Sequence, residues 1–330
     1  MPQCCICYTA DPAYLFPTFV SAMQARRNAS AEAADVIIFS IGASAEAERI
    51  MTRLCGAENI GFNVVDPARI EGANAMMARL YLDRIAPPDY RQLLYVDGDT
   101  QVTGSLDPLL TAPVPSGHFM AARDPIAFSI TLDDAGDQAA YLRSVGLSPA
   151  QLRHYFNSGV LRINREGWDE IGREASAIFH SLRDRTRYPD QDALNLAGKD
   201  RCLPMSLTWN FPIFLRNAGI EDLVQPRIVH YMGRPKPWQG EFLPWGKAGY
   251  QPYLQAIGRY PELLSLAEQM PNFRRLKYHG QQHYKRISES MAWRRGFRKR
   301  AMLAYENELS SNKAKDVWAA LGDAIKRSVR

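Results

Sequence analysis

Two carboxylates one residue apart close an apolar run, Leu94-Tyr95-Val96-Asp97-Gly98-Asp99. Like charges this close raise each other's pKa or recruit a cation. A hard divalent ion is the natural partner, and Mg2+ or Mn2+ bound by carboxylates usually shares its coordination with substrate phosphates. The same residues would also serve as a solvated turn. A second segment, His230-Tyr231-Met232-Gly233-Arg234-Pro235-Lys236-Pro237-Trp238, begins with a histidine at the end of another apolar run. His230 fits a core position as well as a metal site, where a neutral imidazole is an acceptable third ligand for Mn2+. Behind it Gly233 permits close backbone approach, Lys236 suits an anionic oxygen, and the prolines stiffen the loop.

The elements that must hold these residues follow from periodicity. Gln92–Val96 reads as a buried strand running straight into Asp97. Cys4–Tyr8, Val36–Ile41, Phe62–Val65, His118–Ala122, Val160–Asn164 and Ile228–Tyr231 are further strand candidates. Asp11-Pro12 is a helix start, followed by Leu15, Phe19 and Met23 on one face. Helices are expected over Ala73–Ile85, which Pro87-Pro88 stops, near Asp169–Leu182, and over Asp192–Ala197 with Asp192 as its cap. Strands alternating with helices predict an α/β sheet with a parallel portion. Ligands collect outside the carboxyl ends of such strands, where Asp11, Asp97 and Asp99 fall.

Composition excludes several classes. At 46% hydrophobic and 23% charged, the 330 residues are ordinary for a soluble globular protein. No apolar run of membrane-spanning length is present, and the amino terminus does not read as a signal peptide. Five cysteines, three crowded into the first strand, lack zinc-ligand spacing and suit a reducing, cytoplasmic setting. Residues 271–330 carry fifteen Lys and Arg against five Asp and Glu, a net +10, so the remaining 270 residues sum to −5. This places a boundary near Pro271, between a body (1–270) and a basic, aromatic, helical tail (271–330). From Lys313 onward, Ala314, Val317, Trp318, Leu321, Ile325 and Val329 share one helical face, the pattern of a helix lying in an anionic lipid interface. An amphipathic helix packed on the body would show the same stripe. No recognition motif accompanies the charge, so nucleic acid is not expected as a partner.

Taken together, these segments resemble the retaining glycosyltransferases of family eight, which include bacterial lipopolysaccharide galactosyl- and glucosyltransferases and the glycogenins. Leu94–Asp99 resembles the family's Asp-x-Asp metal motif, and His230–Trp238 its HxxGxxKPW segment. Thr9-Ala10-Asp11-Pro12-Ala13-Tyr14 is similar to the uridine-binding entry, where an Asp reads the uracil edge and a Tyr stacks on the ring. Ala75–Leu80 resembles the helix whose Arg, here Arg79, approaches the donor diphosphate. Tyr155-Phe156-Asn157-Ser158-Gly159-Val160-Leu161-Arg162-Ile163-Asn164 is similar to the acceptor-side "FN(A/S)GVLLIN" stretch, and Tyr188–Asn195 to "DQD-LN". Asp124 falls where the family often has an Asp near the sugars. Two features depart from the pattern. Gly98 stands where a larger residue is common, leaving room or flexibility, and Arg162 and Arg165 add charge that would suit a charged acceptor.

The resemblance implies a GT-A type nucleotide-sugar-binding fold and a metal-dependent hexosyltransferase. Asp97, Asp99 and His230 would hold Mn2+, with Mg2+ as the alternative. Thr9, Ala10, Asp11, Tyr14, Arg79, Asp97, Gly98, Asp99, Asn157, Gly233 and Lys236 would bind a UDP-hexose donor. Asp190 and Gln191 would stand at the reacting sugar. Galactose or glucose would pass, with retained configuration, to a saccharide or glycolipid acceptor of lipopolysaccharide or another cell-surface glycan, by an enzyme peripheral on the inner face of the cytoplasmic membrane. The competing readings are a metal-dependent UDP-sugar hydrolase and a non-catalytic nucleotide-sugar-binding protein.

Overall fold

Residues 2–130, 136–182, 185–268 and 270–311 are described by a computed structural model. The chain opens with β1 (Cys4–Ala10), whose seven residues are all buried, as expected of a strand covered on both faces. Asp11 then accepts the Tyr14 amide at 3.0 Å, starting a short 3-10 turn that leads into α1 (Leu15–Asn28). There follow β2 (Ala34–Ser40), α2 (Ala45–Ala57), β3 (Gly61–Val64), β4 (Gln92–Val96), β5 (Thr100–Val102) and β6 (Phe119–Arg123). Next come α3 (Asp137–Ser144), β7 (Phe156–Asn164), α4 (Trp168–Leu182), α5 (Pro189–Ala197), β8 (Cys202–Met205), β9 (Phe211–Pro212) and β10 (Ile228–His230). The chain continues through α6 (Gly246–Arg259), α7 (Asn272–Arg294) and α8 (Phe297–Ser310).

Seven strands form the central sheet in the order β3-β2-β1-β4-β7-β6-β8. Its first four are mutually parallel and β7 runs antiparallel to both neighbours. Alternate side chains of β1 enter different apolar layers: Cys4, Ile6 and Tyr8 in one, Cys5 and Cys7 in the other. A second, three-stranded sheet, β5-β10-β9, does the positioning. It pairs His230 with Thr100, immediately after the Asp97–Asp99 turn.

Three local expectations change. The segment before Pro87 is not one regular helix but a 3-10 turn, Met77–Tyr81, followed by a single α turn, Leu82–Ile85. The tighter turn is tied to the inward course of Arg79, whose guanidinium reaches the Ser158 carbonyl at 2.8 Å. β7 begins at Phe156 and not at Val160, so Asn157 lies within the strand. α5 starts at Pro189, which places Asp192 inside its first turns, where it accepts the Tyr155 hydroxyl at 2.5 Å and the Tyr141 hydroxyl.

The charge boundary near Pro271 is not a gap in packing. Trp293, Met302 and Tyr305 lie in the same apolar cluster as β1 and α1. Tyr305 donates to the Met205 carbonyl at 2.6 Å, and Glu306 accepts from the Ser206 hydroxyl and the Leu207 amide. The amphipathic stretch from Lys313 onward lies outside the described residues. Among the described residues no helix is long and apolar enough to cross a membrane.

Candidate active site

β4 ends at Val96, and the Asp97 amide donates to the Gly159 carbonyl of β7 at 2.8 Å. The Tyr231 amide donates to the Asp99 carbonyl at 3.0 Å, so β10 is stitched to the far side of the same turn. These bonds bring Asp97, Asp99 and His230 together with one potential ligand atom from each within 4.8 Å of the others. His230 Nε2 lies 3.2 Å from Asp99 Oδ1 and 3.8 Å from Asp97 Oδ2. Its other nitrogen, Nδ1, is 2.9 Å from Asn210 Oδ1. Donation from Nδ1 to that carboxamide oxygen leaves the Nε2 lone pair facing the carboxylates, the arrangement a metal-binding histidine needs. Gly159 is required by this crowding, since a Cβ there would fall 2.3 Å from His230 Cε1 and 2.7 Å from Asp97 Oδ2.

Each carboxylate has a cationic neighbour. Asp97 accepts from Arg79 at 2.9 Å and from the Tyr95 hydroxyl at 2.7 Å. Burial nevertheless pushes its carboxyl up, with Arg79 opposing and Asp99 adding to the rise. Burial acts on Asp99 the same way but loses to the Lys236 ammonium and His230, which hold that carboxyl well below the usual range. Lys236 Nζ stands 2.5 Å from Asp99 Oδ2 and 2.8 Å from the Tyr231 carbonyl, so its charge is turned onto the Asp99 carboxylate.

A cavity of about 690 Å3 opens beside this cluster. On its far wall Asp190 accepts from Ser158 Oγ at 2.8 Å and pairs with Arg79 at 3.2 Å. Arg79 thus joins Asp190 to Asp97, with its guanidinium 4.7 Å from the Tyr95 ring centroid. Gln191 Oε1 accepts from Asn157 Nδ2 at 2.9 Å and from the Ser158 amide at 3.2 Å, while its Nε2 donates to Asp124 at 3.2 Å. Asn157 Nδ2 also reaches Asp124, at 3.1 Å. Burial raises the Asp124 carboxyl despite those amide donors.

The cavity walls include Arg79, Asp97, Asp99, Asn157, Asp190, Gln191, His230 and Gly233. Thr9, Ala10, Asp11 and Tyr14 are not among them. Thr9 donates to the Ala75 carbonyl at 2.9 Å, Ala10 ends β1, and Tyr14 meets the Trp238 ring edge-on at 5.5 Å. Gly98 allows close packing: a Cβ there would lie 2.0 Å from Thr18 Oγ1. Arg162 and Arg165 do not face a substrate. Arg162 is buried and donates to the carbonyls of Leu93, Leu109 and Leu110. Arg165 serves the carbonyls of Asp83, Ala86 and Pro87. Sequence reasoning missed Asn210, which links His230 to Asn157 through a 2.8 Å bond, because no motif surrounds it.

The chain is 27% identical over 156 residues to the lipopolysaccharide glucosyltransferase WaaO of Escherichia coli K12, an alignment covering 44% of each protein. It is 25% identical over 178 residues to a lipopolysaccharide 1,2-glucosyltransferase of the same organism, covering 50% of this chain and 49% of the relative. The chain thus spans about half the length of these relatives. The galactosyltransferase LgtC, solved with donor and acceptor sugar analogs, superposes with a TM-score of 0.56 at 24% identity, over 83% of this chain and 99% of that one. The bifunctional glycosyltransferase WbbM superposes with a TM-score of 0.62 at 17% identity, over 80% of this chain and 51% of that one. These likenesses establish a GT-A fold. The family description "Glycosyl transferase family 8" matches residues 5–241, more than two thirds of the sequence, and the chain belongs to that family.

Proposed function

We propose that this chain transfers a hexose, glucose or galactose, from a UDP-hexose to a saccharide acceptor, with a divalent metal and retained anomeric configuration. One observation carries the reading: the β5–β10 pairing sets His230 against Asp97 and Asp99 on a cavity whose other wall holds Asp190 and Gln191. Family membership and relatives described as lipopolysaccharide glucosyltransferases support it.

Two carboxylates and an imidazole with its lone pair turned inward fit Mn2+ or Mg2+. Held by Asp97, Asp99 and His230, such an ion would supply Lewis-acid stabilisation of the departing diphosphate. The remaining work belongs to the chain. Arg79, buried between Asp97 and Asp190, keeps a fixed positive charge where the diphosphate departs. Lys236, which now lies on Asp99, would offer its ammonium to a phosphate oxygen. Thr9, Ala10, Asp11 and Tyr14 at the end of β1 would receive the uridine, and Gly233 would let the loop backbone approach the phosphates. Gln191 and Asn157, locked to each other and to Asp124, would orient the sugar. The Gln191 amide is a poor nucleophile and Asp190 is occupied by Arg79 and Ser158. This favours a front-face exchange, in which a leaving-phosphate oxygen takes the acceptor proton. Competition binding tests the donor site: UDP should compete roughly a hundredfold better than ADP or GDP. Equal competition by all three would refute a uridine site.

For residues 271–330 we propose attachment to an anionic membrane surface beside a catalytic body of 1–270, which would make the enzyme cytoplasmic and peripheral. Phe273, Leu276, Tyr284, Ile287 and Met291 on α7 are 63% to 77% exposed, with Arg274, Lys277, Arg286 and Arg294 on the same helix. Full-length protein should sediment with anionic vesicles at low salt. If it ignores them, the tail has no such role.

A further inference from the structure

The cavity beside the metal cluster extends well past it. Its far end is built from Phe214, Trp245 and three residues of α7: Gln282, Lys285 and Glu289. α7 is locked in place there. Trp293 packs on Phe214 with ring centroids 6.0 Å apart, and Asn217 Nδ2 donates to Glu289 at 2.7 Å. Gln282 Nε2 and Lys285 Nζ approach the Arg234 carbonyl at 3.4 and 3.5 Å. The loop that follows His230 therefore rests on the C-terminal helix, and the inner face of that helix is cavity wall.

Among the described residues four cations line the cavity, Arg79, Arg187, Arg234 and Lys285, with Lys236 just behind the wall on Asp99; Arg187 lies over the Tyr141 ring and Arg234 belongs to the loop that rests on α7. Arg79 and Lys236 are buried and spent in ion pairs with Asp190, Asp97 and Asp99. Lys285 is exposed and, among the described residues, makes no close ion pair; its Nζ approaches the Arg234 carbonyl, and its charge acts at longer range on the Glu289 carboxyl. Glu289, one helical turn on, is occupied by Asn217, and its half-buried position raises its carboxyl. An exposed ammonium beside an aromatic floor can donate to a sugar hydroxyl, but it gains more from an oxyanion on a saccharide that lies against Phe214.

We propose that the inner face of α7 completes the acceptor half of the cleft, and that Lys285 there recognises an anionic substituent, phosphate or carboxylate, on the acceptor saccharide. This rests on the transferase reading and adds the acceptor's chemical class. It also gives α7 two working sides, one lining the cleft and one turned outward.

The test uses the full chain. A methyl hexoside, its 6-phosphate and the corresponding hexuronic acid are titrated by ligand-observed NMR, with and without UDP and Mn2+. The wild type should bind at least one anionic sugar roughly tenfold tighter than the neutral one. The 6-phosphate and the hexuronic acid distinguish a phosphate from a carboxylate as the recognised group. Lys285→Glu should erase the preference, Lys285→Arg should keep it, and both variants should bind UDP as the wild type does, showing an intact fold. Equal or absent binding of charged and neutral sugars, or a preference that survives Lys285→Glu, overturns the proposal. Failure of the wild type to bind UDP counts against the transferase reading instead, because the sugar titrations are also read without nucleotide.

Discussion

Gly98 and Thr18 touch so closely that no side chain fits between them: a Cβ on Gly98 would lie 2.0 Å from Thr18 Oγ1. The turn carrying the Asp97 and Asp99 carboxylates is pressed onto α1, and the glycine permits it. Gly98→Ala should therefore cost about 1–3 kcal/mol of stability and weaken Mn2+ binding by shifting Asp97 and Asp99. Thr18 Oγ1 is buried without a hydrogen-bond partner, so removing it sacrifices no bond. The double variant Gly98→Ala with Thr18→Ala should recover most of the loss. Chemical denaturation and metal titration of the three variants check this; a single variant indistinguishable from wild type contradicts it.

Arg162 yields the opposite kind of prediction. Its guanidinium serves three buried carbonyls, so Arg162→Met removes three hydrogen bonds at once, although the Leu109 carbonyl keeps the Ala112 amide. We expect a loss of roughly 3 kcal/mol or more in urea melts, with no change in which acceptors are used. A changed acceptor preference at unchanged stability would show that the residue faces substrate after all.

This arginine marks where the sequence stops being legible. Its motif places Arg162 on a strand but cannot say which face is covered, and Leu109 and Leu110 reach it only through the tertiary fold. The grouping of Asp97, Asp99 and His230 was legible because Asp97, Gly98 and Asp99 are adjacent and His230 carries its own motif. Asn210 was not, since its role depends on β9 lying beside β10, a pairing of two residues. Asp192 misled for a similar reason: an acid near a helix start reads as a cap, whereas Tyr141 and Tyr155 arrive from distant elements to claim it. The strands of the central sheet other than β8 were read to within four residues, most of them because burial writes continuous apolar runs; β8 was missed, because Cys202-Leu203-Pro204-Met205 is only partly buried and carries a proline.

Gln191→Ala should lower turnover by about 10- to 100-fold through misplacement of Asn157 and still leave measurable transfer, because a front-face exchange asks no nucleophilicity of the amide. The product should keep the α configuration of the donor. Proton NMR of the glycoside checks both, and a β-linked product would contradict the mechanism.

The packing of the C-terminal helices predicts the outcome of truncation. A chain ending at Pro271 loses Trp293, Met302 and Tyr305 from the main apolar cluster. Burial of three such side chains is worth roughly 6 kcal/mol, comparable to the whole stability of many domains. The truncated chain should melt far below the full one in calorimetry. An unchanged melting temperature would mean that residues 272–311 contribute nothing to the core.

The most direct measurement is consumption of UDP-glucose and UDP-galactose by chelator-treated protein, before and after Mn2+ is restored, beside Asp97→Ala, Asp99→Ala and His230→Ala. The geometry of these three residues predicts release of UDP from one of the two donors only with the metal present, and a loss of roughly 100-fold or more in each variant that remains folded. Full activity in chelator with no response to Mn2+, or an unimpaired His230→Ala, would contradict the account.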